Sequence, residues 1–361
     1  MSRRRSPPDP LPPCYALVIP GLEPVAAEEI AHDLGAEVKR TGPGVVVFRA
    51  PDITPEILNL RTVEDIFVLA WGTDKLSYRA DDLERIRRWT AREVDWTRLL
   101  RIHHQVRPKP KGKPTYRLVA QMTGEHGYRR KDAREALARG LAGKLPASWR
   151  HAEEDAAVEV WLTIHGATAV CGLRLSDRTM RHRTYKAEHM PASLRPTLAA
   201  AMVRLSDVRP GHVVLDPMCG AGTILAEQLM CRRAGGLVLG GDLERSALRT
   251  AAANLRRLGS FHLARWDACR LPLSDQSVDR VVSNPPFGKQ LSTPEEVVPL
   301  YRGVVHECYR VLRPGGRAVL LVSNSAALQE AAGAVGWKAE RQLRVRILGQ
   351  AARLNVWRKR S

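Results

Sequence analysis

From residue 213 to the C-terminus, short apolar runs alternate with longer stretches in which apolar residues recur every three or four positions. The runs predict strands over 213–216, 237–242, 262–267, 278–284 and 317–323. The stretches between them predict helices over 222–233, 243–258, 294–312 and 325–334. Such alternation implies a parallel sheet with helices on both faces. Two closing strands, 342–348 and 351–358, flank a Gly349-Gln350 turn, and a connection that short joins only an antiparallel pair. The expected C-terminal domain, 207–361, is thus an α/β, Rossmann-like fold of seven strands ending in an antiparallel hairpin.

The first 180 residues carry a different pattern. Strands at 15–19, 44–48 and 66–71 and helices at 23–34 and 53–60 supply five of the six elements of a β-α-β-β-α-β unit of the ferredoxin-like, α+β kind, expected over 13–75. A second module, 76–178, starts with a charged helix at 82–91 and a loop at 107–114 that is too rich in proline for helix or central strand. It continues with a strand at 116–122, a helix at 132–145, and an alternating strand at 158–164 that turns at His165-Gly166 and returns over 167–175. Residues 179–206 read as a linker with a helix at 194–205. Residues 1–12 combine Arg3-Arg4-Arg5 with prolines and predict a disordered basic tail.

Charge adds a partner to this picture. The chain of 361 residues has 57 Lys and Arg against 38 Asp and Glu, a formal net charge of +19. An excess of that size favours a polyanion, bound through phosphate contacts and counterion release. Six scattered cysteines include no Cys-x-x-Cys pair and predict reduced, mostly buried thiols. The adjacent His103 and His104, read as strand neighbours, point to opposite faces, so no metal is expected. The longest apolar runs are too short for a membrane, and the N-terminus lacks a signal's apolar stretch. A cytoplasmic monomer is the expectation.

Two motifs supply chemistry. In Asp216-Pro-Met-Cys-Gly-Ala-Gly-Thr223, a strand-end acid leads into Gly220 and Gly222, which let the backbone turn tightly beside a ligand. The helix that follows aims its N-terminal amides at the site, which suits a carboxylate. Leu225 stands where a dinucleotide fold needs a third small residue, which argues against a nicotinamide cofactor. Asp242, ending the next strand, can accept from both ribose hydroxyls, and Asp267, ending the third, from an adenine amino group. Three acids at successive strand ends beside a glycine turn indicate an adenosyl cofactor carrying a methionine. Met218, Cys219 and Thr223 in the turn, with Leu243 and Ala268 beside the acids, complete that set.

The second motif is Asn284-Pro-Pro-Phe287 at the end of the fourth strand. An amino group on an aromatic ring is a poor nucleophile, because its lone pair is delocalised. The Asn284 side-chain oxygen and the Pro285 carbonyl can each accept one of its N–H groups, which turns the lone pair toward a methyl donor. Pro285 offers no competing N–H, Phe287 can stack on the ring, and Gly288 leaves room for its edge. Asn284 also belongs to the cofactor set. Proton loss can follow transfer, so no strong base is required. A base within a duplex has to be flipped to reach such a site.

These two motifs and the modules before them resemble the THUMP-containing RNA guanine-N2 methyltransferases. Within that family the chain is most similar to the tRNA enzymes that make N2-methylguanosine at position 6 of the acceptor stem. The resemblance covers nearly the whole chain and is strongest over 190–325. It implies S-adenosylmethionine as methyl donor, S-adenosylhomocysteine as product, and no metal. It implies that 13–75 and a THUMP domain at 76–178 hold tRNA, with THUMP recognising the 3′ CCA end. Lys109, Lys111, Lys113, Arg129, Arg130, Lys131 and Arg134 are then the candidate RNA contacts. The family's segment ahead of the first strand, which packs near the methionine part, corresponds to Ala192-Ser193-Leu194, with Ser where Pro is frequent. Relatives acting on guanosine 10 tend to carry Asp at position 284, and Phe287 replaces the commoner Tyr.

Three other readings share part of this pattern. The same chemistry on ribosomal RNA uses both motifs, usually with further domains. Enzymes acting on DNA adenine or on a protein glutamine amide also use an Asn-Pro-Pro-aromatic run. The basic N-terminal half disfavours a protein substrate, and the THUMP-like module disfavours DNA. A non-catalytic RNA-binding module is opposed by the intact Asp216, Asp242 and Asn284.

Overall fold

A computed structural model describes residues 10–108, 111–112, 114–188, 190, 193–231, 236–286, 294–323, 325–347 and 350–360. The first nine residues of the expected tail at 1–12, and Lys109, Lys113, Ala192, Phe287 and Gly288, lie outside the described residues. The chain forms two compact units, one of the described residues up to 18 together with 27–180, the other of 19–26 and 181–360.

The first unit holds one eight-stranded sheet in the order β2-β3-β1-β4-β8-β7-β5-β6. Its first half is β1 (Cys14–Leu17), the part of α1 (Glu23–Leu34) from residue 27 onward, β2 (Glu37–Gly42), β3 (Val45–Arg49) and β4 (Asp65–Thr73). The second half is α2 (Asp81–Arg92), α3 (Trp96–Val106), β5 (Thr115–Thr123), α4 (Arg130–Leu141), β6 (Arg150–His151), β7 (Val158–His165) and β8 (Thr168–Arg174). Strands β4 and β8 pair antiparallel, so residues of 13–75 and 76–178 share this sheet. The predicted helix at 53–60 is a short 3-10 turn, Pro55–Asn59.

Three local expectations are corrected. Strand β2 carried no apolar signal because it is a charged edge strand, buried on neither face. His103 and His104 sit on helix α3 rather than a strand. Asp95 caps that helix by accepting from Arg98 N at 2.9 Å, and Trp96, Leu99, Leu100, His103 and Val106 form its buried stripe. In the β7–β8 hairpin His165 pairs with Thr168, so the turn is Gly166-Ala167, with Gly166 at φ +56°.

The second unit contains α6 (Pro196–Leu205), β9 (Val214–Asp216), α7 (Thr223–Met230), β10 (Val238–Asp242), α8 (Arg245–Leu255) and β11 (His262–Arg265). It continues with β12 (Val278–Ser283), α9 (Pro294–Val311), β13 (Leu312–Val322), α10 (Ser325–Ala334), β14 (Lys338–Ile347) and β15 (Gln350–Arg358). A short helix, α5 (Thr179–His182), leads in. The sheet order is β11-β10-β9-β12-β13-β15-β14, with β15 antiparallel to both neighbours and the other pairings parallel. This is the seven-stranded Rossmann-like sheet that the alternating pattern implies. Gln350 pairs with Ile347, so it belongs to β15 and not to the closing turn.

Both faces of this sheet are covered. Leu198, Met202 and Val203 of α6 pack on Val214, Val282, Val319 and Leu321. On the other face Tyr301, Val304 and Val305 of α9 and Leu328 and Ala331 of α10 pack on Val281, Ala318, Leu320 and Val322. Strands buried on both faces read as near-continuous apolar runs, which is why the sequence located them well.

Candidate active site

The chain leaves β9 toward one side of the sheet and returns to β12 on the other. The carboxyl ends of these adjacent strands therefore form the crevice where open α/β sheets bind ligands. At that crevice Asp216 leads into a turn whose Gly220 and Gly222 have φ of +51° and +75°. Gly222 is needed twice, because a Cβ there would also lie 3.1 Å from Ala251 Cβ on α8. Cys219 N donates to Gly241 O at 2.8 Å, tying the turn to β10. Leu225 is fully buried, and a Cβ on Gly240 would lie 2.3 Å from its terminal carbon. The bulk that argued against a dinucleotide is thus accommodated by a glycine in the facing strand.

Asp242 Oδ2 accepts from Gly220 N at 2.9 Å and Oδ1 from Glu244 N at 3.0 Å. Each oxygen keeps a lone pair for a further donor. Beside it Leu243 is 57% exposed, an open apolar surface next to a charged one. Strand β11 ends at Arg265, so Asp267 lies two residues beyond the third strand rather than at its end; it is exposed, and its Oδ1 accepts from Cys269 N at 2.8 Å, while Ala268 is buried. Trp266 locks this corner by donating from Nε1 to Pro217 O at 3.0 Å.

Asp216 has a different place from the other two acids. It is only 1% exposed, and burial raises its pKa to about 7. Its Oδ1 accepts from Ser283 Oγ at 2.7 Å and Met218 N at 3.2 Å. The carboxylate therefore couples the glycine turn to the last residue of β12, next to Asn284. Pro285 is buried, and Asn284 Oδ1 is a buried acceptor with no hydrogen-bond partner among the described residues. An orphaned acceptor costs about 1–3 kcal/mol, so this oxygen is available to a donor that the other described residues do not supply.

The segment ahead of α6 is tied to the glycine turn and α7 by the expected Ser193, Leu194 and Thr223 together with Tyr185, Lys186, Glu188, Glu227 and Asn254, which the sequence did not mark. Asn254 on α8, 4% exposed, accepts from Glu188 N at 3.0 Å. Its amide donates to Glu188 O at 3.2 Å and to Ala221 O, inside the glycine turn, at 3.0 Å. Tyr185 donates to the buried Glu227 on α7 at 2.7 Å. Lys186 Nζ donates to Leu194 O at 3.0 Å, and Ser193 Oγ lies 3.4 Å from Thr223 Oγ1. The available signal was a polar Asn254 in the buried stripe of Ala247, Ala251 and Leu255.

In the first unit, Arg129, Arg130, Lys131 and Arg134 line one cleft of about 540 Å³ between α4 and β5. Arg117, absent from the sequence-based set, joins them, and Glu153 pairs with Arg134 at 3.5 Å. Lys111 is exposed but does not line this cleft. No described helix is long and apolar enough to cross a membrane.

Comparison with known proteins agrees with this geometry. The family model described as UPF0020, RMKL-like, methyltransferase domain, matches residues 183–353. The tRNA (guanine(6)-N2)-methyltransferase of Thermus thermophilus is 32% identical over 319 residues, 86% of this chain and 89% of that protein. The bovine tRNA (guanine(6)-N(2))-methyltransferase THUMP3 is 33% identical over 56% of this chain, which spans 43% of that longer protein. The crystal structure of TrmN from Thermus thermophilus superposes with a TM-score of 0.77 at 28% identity, covering 96% of this chain and 99% of that one. With a glycine turn, strand-end acids and a carboxamide oxygen unpartnered among the described residues at the switch point of such a sheet, the chain belongs to the RNA guanine-N2 methyltransferase family.

Proposed function

We propose that the chain transfers a methyl group to the exocyclic N2 of a guanosine in tRNA, at position 6 of the acceptor stem. S-Adenosylmethionine supplies the methyl group, whose carbon is electrophilic because it is bonded to a sulfonium. The observation that carries this reading is the buried Asn284 Oδ1, just past the end of β12, with no partner among the described residues. That oxygen and the Pro285 carbonyl accept the two N–H groups of the guanine amine and direct its lone pair toward the incoming carbon. As the nitrogen–carbon bond forms, the carbon's bond to sulfur breaks, a thioether is released, and the surplus proton on nitrogen leaves to water.

The remaining residues hold and orient. The Asp242 oxygens take the ribose hydroxyls, while Leu243 and Ala268 flank the adenine and the second oxygen of Asp267 accepts from its amino group. The first amides of α7, with Ser193 and Thr223 beside them, receive the methionine carboxylate. The cleft holding Arg129, Arg130, Lys131 and Arg134 grips RNA phosphates, with 13–75 and the THUMP domain at 76–178 presenting the acceptor stem and the CCA end. The target position follows the name of the Thermus relative. One chain carries both motifs, so a monomer suffices, and its free, mostly buried thiols suit the cytoplasm.

The test incubates the full chain with labelled S-adenosylmethionine and bulk tRNA, then identifies and maps the labelled nucleoside. N2-methylguanosine at position 6 is the expected product; label in any other nucleoside, or in none, refutes the reading.

Two further outcomes concern the cofactor. Asp242→Ala is expected to weaken S-adenosylhomocysteine binding by roughly 10- to 100-fold, the loss of hydrogen bonds to a charged acceptor. Unchanged affinity by calorimetry would remove the ribose assignment. Asn254→Leu leaves Ala221 O and both Glu188 backbone groups without their partner, and about a tenfold weaker affinity is expected. Asn254→Asp keeps the acceptor alone and should fall between. A drop in melting temperature with normal affinity would reduce Asn254 to a structural role.

A further inference from the structure

The β14–β15 hairpin brings several arginines to the same edge of the sheet as Asn284. Register fixes their level. Ser283 on β12 stands beside Leu320 on β13, Leu320 beside Asn355 on β15, and Asn355 beside Gln342 on β14. Two residues farther along, Val322, Arg353 and Arg344 stand in one row, level with Pro285. At about 4.8 Å between strands, Arg353 and Arg344 lie roughly 10 and 14 Å from the line of β12. Arg346 is one pleat beyond Arg344 on the same face. The glycine turn and the acids Asp242 and Asp267 lie on the opposite side of Asn284, toward β10 and β11.

Arg344 and Arg346 are exposed and make no ion pair among the described residues. Residues 341 to 353 contain four arginines and no acid, and Glu340 is paired with Arg317 and Arg358 toward the other end of the strand. Charges on an edge strand often serve only to block edge-to-edge pairing. Here the edge is already occupied at Arg344, because a Cβ on Gly21 would lie 1.9 Å from the Arg344 carbonyl oxygen. Blocking the edge therefore does not account for the cations.

We infer that Arg344, Arg346 and Arg353 form a phosphate-binding row for the RNA backbone that flanks the target nucleotide. This rests on the RNA-methyltransferase reading above and adds a second contact surface, on the catalytic unit itself. A flipped base projects from a backbone that must be held near it, and guanidinium groups on the side away from the cofactor supply that hold.

The test replaces all three with glutamine in the full chain and titrates tRNA binding against salt, with S-adenosylhomocysteine present. Affinity at 0.1 M salt is expected to fall roughly tenfold to a hundredfold, and the slope of log affinity on log salt to lose about two units. Melting temperature and S-adenosylhomocysteine affinity stay as in the wild type. The corresponding Arg→Lys triple should recover most of the slope, since an ammonium also neutralises a phosphate. An unchanged slope in the glutamine variant, with wild-type protein still methylating RNA, overturns the row alone. A lowered melting temperature with unchanged slope assigns the arginines to folding and also overturns it. Wild-type protein that neither binds nor methylates RNA overturns the functional reading and the row together.

Discussion

Asn284→Ala is expected to slow methyl transfer by roughly a hundredfold to a thousandfold, comparable to losing one preorganised group at a reacting centre. The same change should leave stability unaltered or slightly raised. In the wild type Asn284 Oδ1 is buried with no partner among the described residues, so alanine removes a desolvated acceptor together with its cost. A residue kept for folding behaves in the opposite way. The measurement pairs single-turnover methylation at saturating tRNA with S-adenosylhomocysteine affinity and a melting curve. Normal turnover in the variant rejects the amine-clamp mechanism, while lost turnover with a large loss of stability or cofactor affinity assigns Asn284 to structure. Asn284→Asp retains an acceptor and should keep more activity than alanine.

The second large effect lies in the other unit. Arg174 on β8 donates from Nε to Asp65 on β4 at 2.7 Å and from Nη1 to Glu159 on β7 at 2.8 Å. Its guanidinium lies 5.2 Å from the centre of the Trp161 ring, and Trp161 Nε1 also donates to Glu159. The Asp65 side chain is fully buried, and those of Arg174 and Glu159 are 12% and 15% exposed. Removing one member of a buried ionic group costs about 3–5 kcal/mol, because the two carboxylates lose the cation between them and keep weaker partners, Ser176 Oγ on Asp65 and Trp161 Nε1 and Arg117 near Glu159. Arg174→Met should therefore lower unfolding stability by that amount in denaturant titration. A change below about 1 kcal/mol would mean that solvent reaches these carboxylates and screens them. Because Asp65 belongs to the 13–75 segment and Arg174 to 76–178, the variant also tests whether these segments unfold together as their shared sheet implies.

Parts of the molecule were hidden from sequence for definite reasons. Helix α3 had both its cap, Asp95, and its stripe, Trp96 to Val106, in plain view, but two adjacent histidines drew attention to metal ligation instead. Strand β2 had no signal at all, because an edge strand with neither face buried need not alternate. Asn254, Tyr185 and Glu227 lie far apart in the chain, and nothing local marks them as one latch.

The sequence alone determined the elements of the methyltransferase sheet, the glycine turn and the two acids, Asp216 and Asp242, that end its first two strands. Each is written in adjacent residues, through apolar periodicity or a backbone conformation that only glycine adopts readily. Tertiary structure alone decided that Asp216 faces inward to Ser283 while Asp242 stays open to a ligand, although both end a strand in the same way. It also decided which basic residues share a cleft and which arginines reach the level of Asn284. Those facts depend on register and burial between distant segments, and a side chain's surroundings are set by the strands beside it rather than by its neighbours along the chain.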